Sequence, residues 1–280
     1  MIYSNYHTHS HFSDGKAEMK FYCEKALELG FHSLGFSDHA PVLFDNSYSI
    51  PIEKLQAYFE NIQSLKKEYE RRLKIYTSLE ADYISGQTYD FQYFKTQGNI
   101  DYIIGSIHLV QNPKTQRRWF IDGGDPDVWD MGLAEIFDGD IRKAVDAFYE
   151  QSLEMIESQQ PEVIGHMDKI KMHNKERFFS TNDQWYQDLV NANLASIKNH
   201  NTIIEINTRG LYKGRSQELF PSFDVLKKAQ KIGIPLILSS DAHHPDELNG
   251  GYEATIVQLK ENGIFELVEF NGKNWKSILI

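Results

Sequence analysis

Seven short apolar runs, each closing on a histidine, an acid or an arginine, constrain this 280-residue chain more than any other feature. The first is a β-prone run over 2–6 that leads into His7-Thr8-His9. The others cover 33–39, 74–82, 102–108, 162–166, 202–207 and 235–243. They end respectively on His39, Glu80 with Asp82, His108, His166, the Thr208-Arg209-Gly210 turn, and Asp241 with His243. Between the runs, apolar residues recur at helical spacing. That spacing predicts helices over 17–30, 52–73, 140–159, 183–200, 222–232 and 253–262, with a weaker one over 87–98. The helix over 52–73 is highly charged and reads as solvated on most of its surface. Residues 111–139 read as a long irregular insertion, and 265–270 as a final β-like run.

Strand-then-helix alternation with strands apolar on both faces means a parallel sheet. An open sheet gathers its ligands at one switch point, where the strand order reverses. Only a closed or nearly closed barrel brings seven strand ends to one mouth. The expected architecture is therefore an α/β barrel of about seven strands, in one domain spanning 1–280 with a loop insertion at 111–139. Barrels of this size are ordinary single domains.

The net charge of −11 disfavours long nucleic acid or an anionic membrane as a partner. No apolar run approaches the ~18 residues of a membrane span. The N-terminus lacks the charged, apolar, small-residue order of a signal peptide. These features predict a soluble cytoplasmic protein. The single cysteine, Cys23, falls in a helix and reads as a small buried apolar residue. There is no Gly-x-x-x-x-Gly-Lys-Ser/Thr loop, no Cys-x-x-Cys and no Gly-x-Ser-x-Gly.

Six of the eleven histidines lie at the strand ends. His7 and His9 are spaced i, i+2, which puts both rings on one face of an extended chain. Buried imidazoles and carboxylates need partners. Their convergence on one mouth, with Glu80 and Asp241, is the donor set of a divalent transition metal site. Of the remaining histidines, His32 and His200 read as helix-end or surface groups. His173 and His244 are loop residues near the mouth, in reach of a ligand.

His7-Thr-His9 with Asp14-Gly15, Ser37-Asp38-His39, Glu80, Ser106-Ile-His108, Gly165-His166 and Ser240-Asp241-Ala-His243 together resemble the PHP family of phosphoesterases. The resemblance is strongest to its histidinol phosphatase branch and runs from His7 to His243. It implies a distorted (β/α)7 barrel with three divalent metal ions, of Zn, Fe or Mn type. One ion would take His7, His9, Glu80 and Asp241. A second would share Glu80 and use His108 and His166. A third would take Asp14, His39 and His243. Asp38 and Asp82 would orient ligand histidines through the second ring nitrogen, or else serve as turn and cap residues.

The implied chemistry is hydrolysis of a small phosphomonoester. Arg209 would clamp the phosphate, with Lys213 and Arg215 on the same loop. Asp14 or His243 would pass a proton to the leaving group. The 111–139 segment carries Arg117, Arg118, Trp119, Phe120 and Trp129 beside Asp122, Asp125, Asp127 and Asp130. An aromatic, acidic lid of this kind suits a cationic leaving group such as an aminoalkyl imidazole. Competing readings are a phosphodiesterase or nucleotide enzyme of the same family, and an amidohydrolase, whose barrels also open with His-x-His. An amidohydrolase would need a strand-end lysine to bridge its metals, and none stands out. A metal-binding domain without activity would leave gaps in the donor set, and there are none.

Overall fold

The computed structural model describes residues 2–280. Seven parallel strands form its centre: β1 (Ser4–Asn5), β2 (Ser33–Phe36), β3 (Lys74–Asp82), β4 (Tyr102–Ser106), β7 (Val163–Ile164), β8 (Ile203–Asn207) and β9 (Leu236–Ser239). They are hydrogen-bonded in chain order from β1 to β9. Among the described residues, the backbone seam between β9 and β1 is bridged only at the carboxyl rim, where Thr8 pairs with Ala242. There His9 N–H donates to the Ala242 carbonyl at 2.8 Å, and Ala242 N–H donates to the His7 carbonyl at 3.1 Å. The result is a nearly closed, distorted (β/α)7 barrel. The closing bridge is made by the residues that flank the predicted site.

The strand interiors are layered. Residues two apart share a face, so Tyr76, Ser78 and Glu80 on β3 point inward together, as do Ile203, Glu205 and Asn207 on β8. At the amino end, Tyr6, Tyr76, Tyr102, Val163, Ile203 and Ile237 form a buried cluster. It is capped by a hairpin of β10 (Glu266–Phe270) and β11 (Trp275–Leu279). Phe270 joins that cluster, and Trp275 packs on Tyr6 with ring centroids 5.4 Å apart. The carboxyl half of the interior is polar. The strands are thus apolar toward the helices and half polar toward the axis, and not uniformly apolar as expected.

Helices α1 (Met19–Glu28), α2 (Leu55–Tyr69), α3 (Phe91–Gln97), α5 (Ile141–Gln159), α6 (Gln184–Asn199), α8 (Phe223–Lys231) and α9 (Tyr252–Glu261) follow the order read from the sequence. Three expectations need correction. Helix α2 is amphipathic: Leu55, Tyr58, Phe59, Ile62, Leu65 and Tyr69 are all buried, so its charges mark one face only. Its Tyr58 hydroxyl donates to the carbonyls of Phe36 and Ser78 at 3.0 and 2.7 Å. The basic turn after β8 is a short helix, α7 (Arg209–Tyr212).

The 111–139 insertion is ordered rather than irregular. Strands β5 (Leu109–Gln111) and β6 (Arg118–Phe120) pair antiparallel, and α4 (Pro126–Phe137) follows. Asp125 caps α4 through Asp127 N–H, with Pro126 at the first helical position. Trp119 and Trp129 are both buried, their ring centroids 4.7 Å apart, and the Trp119 indole donates to the Trp129 carbonyl. The two tryptophans hold the insertion together and do not face a ligand.

A seven-stranded barrel is narrow, and two inward positions on its wall have no room for a side chain. A Cβ at Gly35 would collide with the Tyr102 hydroxyl, and one at Gly165 with Ser106 Oγ, while lying 3.0 Å from Ile104 Cγ2. Gly165→Ala should lower unfolding free energy by about 1–3 kcal/mol, the range for overpacking. A urea melt checks this, and an unchanged midpoint would contradict the close approach.

Candidate metal centre

Glu80, at the carboxyl end of β3, is 1% exposed and lies among five imidazoles. Its Oε2 is 3.2 Å from His7 Nε2, 3.4 Å from His9 Nε2 and 3.1 Å from His39 Nδ1. Its Oε1 is 2.9 Å from His166 Nε2 and 3.4 Å from His108 Nε2, and accepts from Ser106 Oγ at 2.7 Å. The two oxygens of one carboxylate therefore face two different sets of nitrogens.

Asp241 Oδ1 lies 3.3 Å from His9 Nε2, 3.8 Å from His7 Nε2 and 3.4 Å from His243 Nδ1. Asp14 has its Oδ2 3.3 Å from His243 Nε2. Its Oδ1 is 3.8 Å from both His39 Nε2 and His9 Nδ1. All nine side chains singled out in the sequence for metal binding thus meet at one mouth. Within them, His9, Asp14, His39 and His243 form one group with donor atoms in mutual reach, His7, His9 and Asp241 a second, and His39, Glu80 and His108 a third.

The local chain explains how these groups converge. His7 and His9 flank the Thr8 residue that closes the barrel. His39 pairs with Glu80 in a parallel bridge continuing β2 beside β3. Asp38 does not orient a histidine. It accepts from the N–H groups of Ser10 and Ser13 at 2.8 and 3.1 Å and from both serine hydroxyls. It thereby fixes the turn that carries Asp14. Asp82 does orient a histidine: its Oδ1 accepts from His108 Nδ1 and from His108 N–H, both at 3.0 Å. His173 donates from Nε2 to the Gly123 carbonyl at 2.6 Å and so contacts the insertion. His244 is exposed and caps a short 3-10 turn.

Glu205 is a site residue the sequence reading missed. It is fully buried on β8, and its Oε1 is 2.5 Å from His7 Nδ1. Its Oε2 accepts from His166 N–H and from the Asn207 amide. With Nδ1 so engaged, His7 turns Nε2 toward Glu80. An acid inside an otherwise apolar strand was the available signal.

Electrostatics divide the cluster. Burial lowers the pKa of His7, but the carboxylates of Glu205, Glu80 and Asp241 outweigh it and hold it well above its ordinary value. Burial also lowers His108, yet Asp82 and Glu80 raise it to about 10. His9 goes down through burial and the neighbouring His243 and His39. For Glu80, burial raises the pKa, and His7, His108 and His39 more than offset it. Several buried ring nitrogens and carboxylate oxygens have no hydrogen-bond partner among the described residues: His7 Nε2, both ring nitrogens of His9, Asp14 Oδ1, His39 Nδ1 and Asp241 Oδ1. Buried polar atoms without partners are costly. When they are imidazole nitrogens and carboxylate oxygens facing one another, a divalent cation is the partner that satisfies both.

A cavity of about 260 Å³ opens onto this cluster, reaching Asp14, His39, Glu80, His108, Asp241 and His243. Arg209 and Arg215 form part of its wall, as do Tyr48, Phe120 and Asp122. Arg209 Nη1 donates to the Asp241 carbonyl at 2.7 Å. Among the described residues its guanidinium hydrogen bonds all run through Nη1, also reaching Tyr212 and Glu247. Lys213 pairs with Glu247 at 2.7 Å instead of lining the cavity. Of the four acids singled out in the insertion, only Asp122 reaches this wall. Asp125 caps α4, and Asp130 pairs with Arg177 through both oxygens at 2.7 Å.

A parallel barrel whose mouth gathers buried histidines around one shared carboxylate defines a divalent-metal-binding barrel protein. More narrowly, the chain belongs to the PHP domain family, whose model matches residues 5–209. The match stops short of Asp241 and His243, which the fold nevertheless brings to the same mouth. The chain is 27% identical over 252 residues to the histidinol-phosphatase of Bacillus subtilis, covering 84% of this chain and 91% of that one. It is 26% identical over 287 residues to the histidinol-phosphatase of Lactococcus lactis, covering 98% of each. The crystal structure of histidinol phosphate phosphatase from Lactococcus lactis, complexed with Zn, L-histidinol and phosphate, superposes with a TM-score of 0.70. It has 19% identity and covers 98% of both chains. No helix among the described residues is long and apolar enough to cross a membrane.

Replacing Glu205 with Gln removes the charge behind His7 Nδ1. Loss of such a partner costs about 10- to 100-fold in metal affinity, and chelator competition on purified protein reads it directly. Unaltered affinity would show that His7 needs no carboxylate behind it.

Proposed function

We propose that this chain is a metal-dependent phosphomonoesterase acting on histidinol phosphate. The observation that carries the reading is Glu80, whose two oxygens face separate imidazole sets. A carboxylate so placed would hold two divalent cations at once, the pairing that phosphoryl-transfer chemistry uses. His7, His9 and Asp241 would complete the position on the Oε2 side, and His108 and His166 the one on the Oε1 side. Asp14, His39 and His243 would hold a third ion at the outer wall. Mixed imidazole and carboxylate donors suit Zn, Fe or Mn. Bound divalent cations supply Lewis-acid charge that neutralises phosphate oxygens and lowers the pKa of water.

The chain's own residues do the rest. Arg209 is held in place by the Asp241 carbonyl through Nη1, which leaves Nη2 and Nε for a phosphate oxygen pair. Arg215 shares that wall and adds charge of the same sign. Asp14 and His243, 3.3 Å apart on the wall, are the groups placed to pass a proton to the departing alcohol. The cavity of about 260 Å³ suits a small phosphate ester. The relatives named for histidinol phosphate, which this chain matches over most of its length, favour that ester. Phe120 lines the cavity and would pack against the leaving group. A second reading, hydrolysis of another small phosphorylated metabolite or a nucleotide, uses the same centre with a different leaving group.

A panel of histidinol phosphate, sugar phosphates, nucleotides and a phosphodiester separates these readings. The highest kcat/KM should fall on histidinol phosphate, and a preference for any other ester would replace the assignment. His7→Ala and Asp241→Ala should each abolish turnover and lower bound metal together; full activity in a metal-depleted variant would refute metal-dependent hydrolysis. Arg209→Ala should cost about 100- to 10,000-fold in kcat/KM, the loss of two charge-assisted hydrogen bonds at ~1.5–3 kcal/mol each. Its metal content should stay intact, and unchanged kinetics would remove Arg209 from the phosphate site.

A further inference from the structure

Lys169 is a cation in an unusual place. Its side chain is 3% exposed, and it lies just after His166 on the loop that follows β7. Its Nζ is 2.7 Å from Asp122 Oδ1, the one ion pair it makes among the described residues. A buried ammonium without a partner is strongly destabilising, so this pair is an obligation of the fold. Asp122 belongs to the insertion, immediately after β6. Its other oxygen, Oδ2, is 3.6 Å from His108 Nε2, the same nitrogen that lies 3.4 Å from Glu80 Oε1. Asp122 also lines the cavity wall with Glu80 and His108.

The same loop grips the insertion twice more. His173 donates to the Gly123 carbonyl, and Arg177 forks onto Asp130. Asp122 is thus clamped from behind by a buried cation, and the chain after it is held at Gly123 and Asp130, with one oxygen directed at the centre. A carboxylate kept this close to an imidazole nitrogen that itself faces Glu80 is placed to share whatever they hold.

We infer that Asp122 is a further carboxylate of the metal centre, delivered by the insertion to the Glu80–His108–His166 side and anchored by Lys169. The inference rests on the reading that cations occupy that centre. It makes the insertion part of the site rather than a cover over it. The carboxylate's excess charge there is balanced from behind by the ammonium, leaving the cation's charge to the substrate.

The test uses the full chain loaded with Co(II) or Zn(II). Metal per chain is measured by elemental analysis across a graded chelator series, and the visible absorption of the Co(II) form is recorded. Asp122→Asn should release one ion at ~10- to 100-fold lower chelator concentration than the unaltered chain and should change the Co(II) spectrum. Asp127→Asn, on the exposed start of α4, should do neither. If Asp122→Asn does not fold, Lys169→Met carries the test. It leaves the carboxylate present but unanchored, and the same ion should loosen. A release curve and spectrum matching the unaltered chain, with only kcat/KM for a cationic ester reduced, would overturn the inference and place Asp122 against the substrate. Absence of bound metal in the unaltered chain would instead overturn the reading of the centre itself.

Discussion

The buried carboxylate of Glu80 is the constraint around which the barrel is arranged. A charge removed from water is tolerated only when partners surround it. Here the partners are rings from four other strand ends: His7 and His9 after β1, His39 after β2, His108 after β4 and His166 after β7. No local sequence can supply such a set. It exists because parallel strands in chain order place their carboxyl ends around a ring. Closing the barrel and assembling the cluster are one event, since the Thr8–Ala242 bridge is made between His7 and His9 on one side and Asp241 and His243 on the other.

That requirement divides the interior into two layers. The amino end is filled by Phe270 and by three tyrosines, Tyr6, Tyr76 and Tyr102, whose phenol groups still find carbonyls: Tyr102 donates to Tyr6 and Tyr76 to Phe270. The C-terminal hairpin closes that end. Behind the reacting layer lies a ring of orienting groups. Asp82 holds His108, Glu205 holds His7, and Asp38 holds the turn of Asp14. Each fixes one donor's direction, so the cluster is shaped before anything binds.

Much of this was legible in the chain because the signals were positional. A histidine or acid that ends a short apolar run has few structural reasons to be there, and eight of the nine donors are of this kind; the ninth, Asp14, follows from the family resemblance, and all nine arrive at one mouth. What was missed had other causes. Glu205 sits inside its strand, where attention to strand ends passes over it. The insertion was read as irregular although Asp125-Pro126 is a helix start, because its glycines and prolines dominated the pattern. The last strand was missed although Asn271-Gly272 marks a hairpin turn, Gly272 adopting φ 91°, since exposed Lys276 and Ser277 weaken the alternation. The charge of α2 hid its buried face, and of the two roles open to Asp38 the serine amides select the turn.

Diffraction from crystals of the metal-loaded protein, recorded on both sides of the absorption edge of the bound metal, tests the role of Glu80 most directly. The account predicts anomalous peaks on either side of the Glu80 carboxylate, one beside His7, His9 and Asp241 and the other beside His108 and His166. A third should lie beside Asp14, His39 and His243. Peaks that leave Glu80 without a cation on one of its oxygens, or that lie away from these side chains, would contradict it.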